Sequence, residues 1–303
     1  MGGRQEREGE VASDLEAGLS RVLLRLPGVF RARLAEGARR GLRILSHRRA
    51  RRVARVAPRD ENPAFVMAVT LTAAFAAIAL LDPHVGAAPG GATGAWRRFL
   101  KTLTSYGEGI EILVVSGAIL VFCLSVSPIG LARRVRAGLV EIGFAAAFAF
   151  ASVAGSGLVA SLVKNAFGRA RPEHLSPGAV FELHPFAFSA KFASFPSGHS
   201  TTAGATAMVL ALLFPALRRP ILAAGALVAV SRILLDAHFP ADVIAGFGFG
   251  AAFTLTAAQA LARRNLVFRQ NSIGRLEPKA ADRPGNWPDV LAALIARARK
   301  SAS

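Results

Sequence analysis

Six long apolar runs, separated by short connectors, occupy most of residues 64–262 of this 303-residue chain. They are Ala64–Leu81, Ile110–Val126, Leu139–Val163, Ser200–Leu217, Pro220–Leu235 and Asp242–Ala262. A transmembrane helix takes about 17–25 apolar residues. Inside hydrocarbon, only helices and closed barrels satisfy their own backbone hydrogen bonds. The pattern therefore predicts an all-α, polytopic membrane protein with six transmembrane helices. The fourth and fifth form a hairpin, because only Arg218, Arg219 and Pro220 separate them. The chain is 52% hydrophobic with a mean hydropathy of +0.41, too apolar for a soluble domain of this length.

The formal net charge is +18, and its placement excludes a nucleic-acid binder. Such proteins gather basic residues on a soluble fold with groove-reading or aromatic motifs, whereas here the charge lies between and outside the apolar runs. An anionic lipid surface is the better match. Arg48, Arg49, Arg51, Arg52 and Arg55 precede the first run, and Arg133, Arg134 and Arg136 follow the second. Arg218 and Arg219 follow the fourth, and Arg263 and Arg264 the sixth. In a six-span chain all four groups fall on one side, which the positive-inside rule makes cytoplasmic, together with both termini. The expected location is a bacterial inner membrane.

This reading divides the chain into an Arg-rich leader over residues 1–62, a six-span domain over 63–263 and a polar basic tail over 264–303. The leader carries two amphipathic patterns, Val11, Leu15, Leu19, Val22 and Leu26, then Phe30, Leu34, Ala38, Leu42 and Leu45. They suggest helices lying on the inner leaflet. The first apolar run begins too late for a cleaved signal peptide. The tail shows a short helical pattern near Val290–Ile295. Cys123 is the single cysteine, so no disulfide forms within the chain.

Three clusters fall together on the other side: Lys164 with Arg171-Pro172, then Pro196-Ser197-Gly198-His199, then Ser231-Arg232 with His238 and Asp242. Charged groups at a membrane edge are costly and point to function. Arg offers a planar fork of donors suited to phosphate oxygens, and Lys adds a point charge. Ser197, Gly198 and His199 precede a helical run, whose free N–H groups and dipole favour an anion, with Gly198 permitting close approach. Pro240 fits a first helical turn, which places His238 just outside the helix and Asp242 within its first turn. A carboxylate beside an imidazole holds one tautomer and frees the other nitrogen to attack. The set makes a site for a tetrahedral oxyanion with two histidines for nucleophile and proton donor. Lys164, Arg171 and Arg232 can neutralise the developing charge, so no metal or cofactor is implied.

The eleven positions resemble the type 2 phosphatidic acid phosphatase superfamily, the lipid phosphate phosphatases related to vanadium haloperoxidases. Its pattern, K-x6-R-P, P-S-G-H and S-R-x5-H-x3-D, is met in order over residues 164–242. The resemblance implies that His238 forms a phosphohistidine, that Asp242 orients it and that His199 protonates the leaving alcohol. It implies phosphate binding by Lys164, Arg171, Ser197, Gly198 and Arg232, no metal ion, and a periplasmic active site. The expected activity is hydrolysis of a phosphomonoester or pyrophosphate on a membrane lipid. The candidate substrates are phosphatidic acid, phosphatidylglycerol phosphate, undecaprenyl pyrophosphate and lipid A phosphates. The alternatives are a vanadate-dependent haloperoxidase, a transporter, and a non-catalytic lipid-binding protein. Oligomeric state is not legible.

Other candidates have plainer readings. His174, Glu182 and His184 lie in a loop with Phe181, Phe186, Phe188, Phe192 and Phe195, which suits dipping into the outer leaflet or shaping an entrance better than holding a metal. Gly246, Gly248 and Gly250 suit helix packing. Trp96, Phe99, Leu100 and Leu103, flanked by Arg97, Arg98 and Lys101, predict an interfacial helix on the outer leaflet, with Trp96 and Tyr106 at headgroup level.

Overall fold

A computed structural model describes residues 28–48, 57–87, 92–176, 179, 181–279 and 292. Its helices are α1 (Gly28–His47), α2 (Pro63–Leu80), α3 (Asp82–Ala87), α4 (Gly94–Ser105) and α5 (Ile110–Ser125), then α6 (Arg133–Phe167), α7 (Gly198–Leu213), α8 (Arg218–Leu234) and α9 (Pro240–Arg263). A two-stranded antiparallel hairpin, β1 (Phe268–Gln270) and β2 (Leu276–Pro278), follows. The fold is helical, as the apolar runs require.

Local signals account for the helix ends. Asn62 Oδ1 accepts from the N–H groups of Ala64 and Phe65 at 3.0 and 3.3 Å, opening α2 ahead of Pro63. α7 stops at Leu213 because Pro215 disfavours a helical Phe214, so it ends before the expected Leu217. α6 stops at Gly168, which takes a left-handed φ of 64°.

Among the described residues, four helical stretches are long and apolar enough to cross a membrane: Pro63–Leu80, Gly94–Ser125, Arg133–Phe167 and Pro240–Arg263. The other two expected spans form as α7 and α8, of 16 and 17 residues, just short of that length. Large apolar side chains stay exposed along the bundle, among them Phe75 at 70%, Val114 at 63% and Leu162 at 65%. So much exposed apolar surface would aggregate in water and suits lipid contact.

α9 packs between α2 and α7, α7 touches α8, and α6 joins α5 to the α7–α9 pair. The α7–α9 crossing is close: a β-carbon at Gly250 would collide with the Thr201 carbonyl oxygen, and one at Gly204 with that of Phe247. Small residues at such crossings let helices approach where hydrophobic driving force is weak. The core joins Phe148 of α6, Val209 and Leu212 of α7, Leu255 of α9, and Phe268 and Leu276 of the hairpin.

The hairpin changes one boundary. Residues 264–279 do not form a separate polar tail; Phe268 and Leu276 alternate inward and are buried in the bundle. Glu61, also buried, accepts from Leu276 N at 2.6 Å and pairs with Arg218 and Arg275. The second leader pattern forms α1, docked on α5 by Gly37 against Leu124. The first pattern, Arg49, Arg51, Arg52 and Arg55, and, apart from Ala292, the Val290–Ile295 pattern lie outside the described residues.

The described members of the four arginine groups share one end of the bundle. Arg48 donates to the carbonyl of Asn265 at 2.7 Å, and Arg40 of α1 reaches that of Val126, just after α5. Lys279 pairs with Glu141 near the start of α6 at 3.1 Å.

Candidate active site

The three clusters meet at the opposite end. Lys164 is in the last turn of α6, Arg232 near the end of α8, His199 in the first turn of α7, and His238 immediately before α9. Ser197 caps α7, and its own N–H donates to the Asp242 carbonyl at 3.0 Å, joining the starts of α7 and α9. Gly198 lies against Lys164, with room for a β-carbon only 3.1 Å from Nζ. Arg171 is anchored by Nε donating to the Ala190 carbonyl at 2.9 Å, and Arg232 Nη1 reaches Thr104 Oγ1 at 3.4 Å. The charges of Arg171 and Arg232 bear on both His238 and Lys164. Those of Arg232 and Lys164 also bear on His199.

His238 is almost wholly buried, with Nδ1 3.7 Å from Asp242 Oδ2 and 3.4 Å from Ser194 Oγ. Asp242 Oδ2 also accepts from Ser194 Oγ at 2.5 Å and from Phe239 N at 3.0 Å. Burial pushes the His238 imidazole down to about 4, against the opposing pull of Asp242. It is therefore neutral at ordinary pH, with Nδ1 facing its partners and Nε2 left over. His199 Nε2 lies 3.6 Å from Glu108 Oε1 and is only partly buried.

Several residues here escape sequence reasoning. Arg169, 2% exposed, donates to Asp242 Oδ1 and to Asp82 Oδ2, each at 2.7 Å. Its guanidinium lies over the rings of Phe239 and Phe181, 4.3 and 4.9 Å from their centroids. Asp82 takes a second bond from Ala241 N at 3.0 Å, and burial raises its carboxyl above the ordinary range. Ser194, Glu108 and Thr104 complete the surroundings. Arg169 was readable only as one of two arginines flanking Ala170, and nothing local singles out Asp82.

At the tip of the phenylalanine loop, Phe186 and Phe188 are 61% and 56% exposed. His184 instead pairs with Glu182 at 2.5 Å and stacks on Phe192. α4 is amphipathic, with Leu100 buried and Trp96 stacked on Phe99 at 5.3 Å, both more than half exposed.

Residues 145–266 match the PAP2 superfamily, and all eleven motif positions lie inside that segment. The chain is also 37% identical over 203 residues to the lipid A 1-phosphatase of Rhizobium etli, covering 66% of this chain and 86% of that protein. The chain belongs to the PAP2 superfamily. It is thus a membrane-bound lipid phosphatase of bacterial PAP2 type. The lipid A 1-phosphatase of Rhizobium johnstonii is equally similar, at 37% over 203 residues, with 66% and 82% covered. The decaprenylphosphoryl-5-phosphoribose phosphatase of Mycobacterium tuberculosis is 34% identical over 158 residues, with 50% and 72% covered. Among solved structures, a transmembrane PAP2-type phosphatidylglycerolphosphate phosphatase from Bacillus subtilis aligns with a TM-score of 0.41 at 21% identity. That alignment covers 65% of this chain and 94% of the other.

Proposed function

We propose that this PAP2 enzyme removes the 1-phosphate of lipid A at the outer face of a bacterial inner membrane, through a phosphohistidine on His238. The similarity to two lipid A 1-phosphatases, over most of their length, carries the choice of substrate. The His238–Asp242 pair beside three cations supports the chemistry.

In the first step Nε2 of His238 attacks phosphorus, the N–P bond forms and the bond to the sugar oxygen breaks. His199 gives its proton to that oxygen. Asp242 holds Nδ1 and stabilises the cation formed on the ring. Lys164, Arg171, Arg232, Ser197 and the Gly198 N–H bind the phosphoryl oxygens and stabilise their charge, work that needs no metal ion. In the second step water loses a proton to His199 and attacks phosphorus, releasing phosphate and restoring neutral His238. By the positive-inside rule, the arginine groups at the far end support a reading with the pocket outside and both termini inside.

The test is phosphate release from purified lipid A, phosphatidic acid, phosphatidylglycerol phosphate and undecaprenyl pyrophosphate, each with EDTA. The expected result is fastest turnover of lipid A with loss of the 1-phosphate. Faster turnover of any other lipid would remove the substrate choice, and inhibition by EDTA the metal-free mechanism.

A further inference from the structure

Away from the catalytic pocket, about 26–42 Å along α6 from Lys164, α1, α5 and α6 line a half-open cavity of about 470 Å³. That volume is in the range of sites for small ligands, about 300–1,000 Å³. Its walls are apolar, with Leu120 and Leu124 from α5 and Leu139, Val140 and Phe144 from α6. Its rim is cationic: Arg40 and Arg43 from α1 and Arg136 from α6. A second cavity of about 450 Å³ shares Arg136, Val140 and Phe144 with it and adds His47 and Arg48.

None of Arg40, Arg43 and Arg136 is paired with a carboxylate among the described residues. Arg40 Nε is buried there without an acceptor, and its Nη2 makes only the 3.4 Å contact to Val126. Two other arginines at this end, Arg218 and Arg275, are by contrast paired with Asp60 and Glu61. A buried guanidinium donor left unmade is costly, and an apolar trough with a cationic rim complements one chemical class. A phosphodiester headgroup meets the arginines while its acyl chain lies along the leucines.

We infer that this trough is a binding site for an anionic phospholipid of the inner leaflet, holding α1 against α5 and α6. The occupant is a structural lipid, not a substrate, because neither His199 nor His238 lines the trough. The inference does not rest on the lipid A reading and stands or falls separately.

The experiment titrates the purified full-length protein in neutral detergent with phosphatidylglycerol, phosphatidylcholine of the same chains, or inorganic phosphate, and reads thermal unfolding. Phosphatidylglycerol should stabilise at a concentration at least about fivefold lower than phosphatidylcholine, given typical attraction between one cation and an anionic surface. Inorganic phosphate should not stabilise, since it leaves the trough empty. The variant R40Q/R43Q/R136Q should lose the preference, and R97Q/R98Q/K101Q, at the other end, should keep it. Should the triple variant fail to fold, R40Q and R136Q are tested singly, each expected to narrow the preference. Equal response to both lipids in the wild type would overturn the inference. So would an unchanged preference in the variants at this end, or protection by phosphate alone, which would mark a bare anion site.

Discussion

Asp82, just after the first span, and Asp242, at the start of the last, share one guanidinium: Arg169 bonds both at 2.7 Å. Asp242 in turn faces His238. The orientation of the proposed nucleophile is therefore tied through Arg169 to a residue outside the family motif.

Removing one partner of a buried ion pair costs about 3–5 kcal/mol, because the other charge is left unpaired. Arg169→Met should lower the unfolding temperature and reduce kcat for a short-chain phosphomonoester while KM changes little. Arg169→Lys keeps the charge but cannot span both carboxylates, so it should recover stability more fully than kcat. Steady-state kinetics beside thermal unfolding separates the two, and a change confined to KM would contradict a positioning role.

The pH profile follows from the buried imidazole. Its folded value, about 4, lies below the ordinary value of 6.5, so the neutral form persists to lower pH in the native protein. The stability linked to this residue is complete above about pH 6.5 and is lost as pH falls toward 4. After correction for substrate ionisation, the acid limb of kcat/KM should lie near pH 4. A limb near 6.5 would mean an ordinary exposed histidine.

The α4 helix should act on substrates delivered from a membrane. Trp96 and Phe99 stack on its exposed face, Arg97, Arg98 and Lys101 are exposed beside them, and Thr104 touches Arg232. Replacing the three cations by Gln should raise KM on vesicles much more than KM for a short-chain substrate. Equal effects on the two would remove the collecting role.

The α7–α9 crossing holds His199 and Asp242 in register. Gly250→Ala would push a methyl against the Thr201 carbonyl oxygen, and overpacking of this kind costs about 1–3 kcal/mol. Lower thermal stability with a parallel fall in kcat is expected. Unchanged values would show that the helices can separate without harm.

How much was legible depended on whether a role is set by local spacing. The motif residues were readable because phosphate chemistry demands particular side chains at particular helix ends, and His238, Pro240 and Asp242 state one such end within five positions. Arg169 and Asp82 were not, since their partnership exists only once α3 is brought against the start of α9. The hairpin was hidden for another reason. Its strands are three residues long, and Arg269, Arg275 and Glu277 make the segment look like solvated tail. Helix ends shifted where a capping group or proline overruled hydropathy, as Pro215 does for α7.

The central claim is that His238 carries the phosphoryl group. The direct measurement is a rapid quench of the enzyme with lipid A radiolabelled in its 1-phosphate, followed by peptide mapping under alkaline conditions. An acid-labile label on the peptide containing His238, absent in His238→Ala, is the expected result, with turnover in that variant down by about 10⁴-fold or more. Label on another residue, or wild-type turnover by His238→Ala, would contradict it.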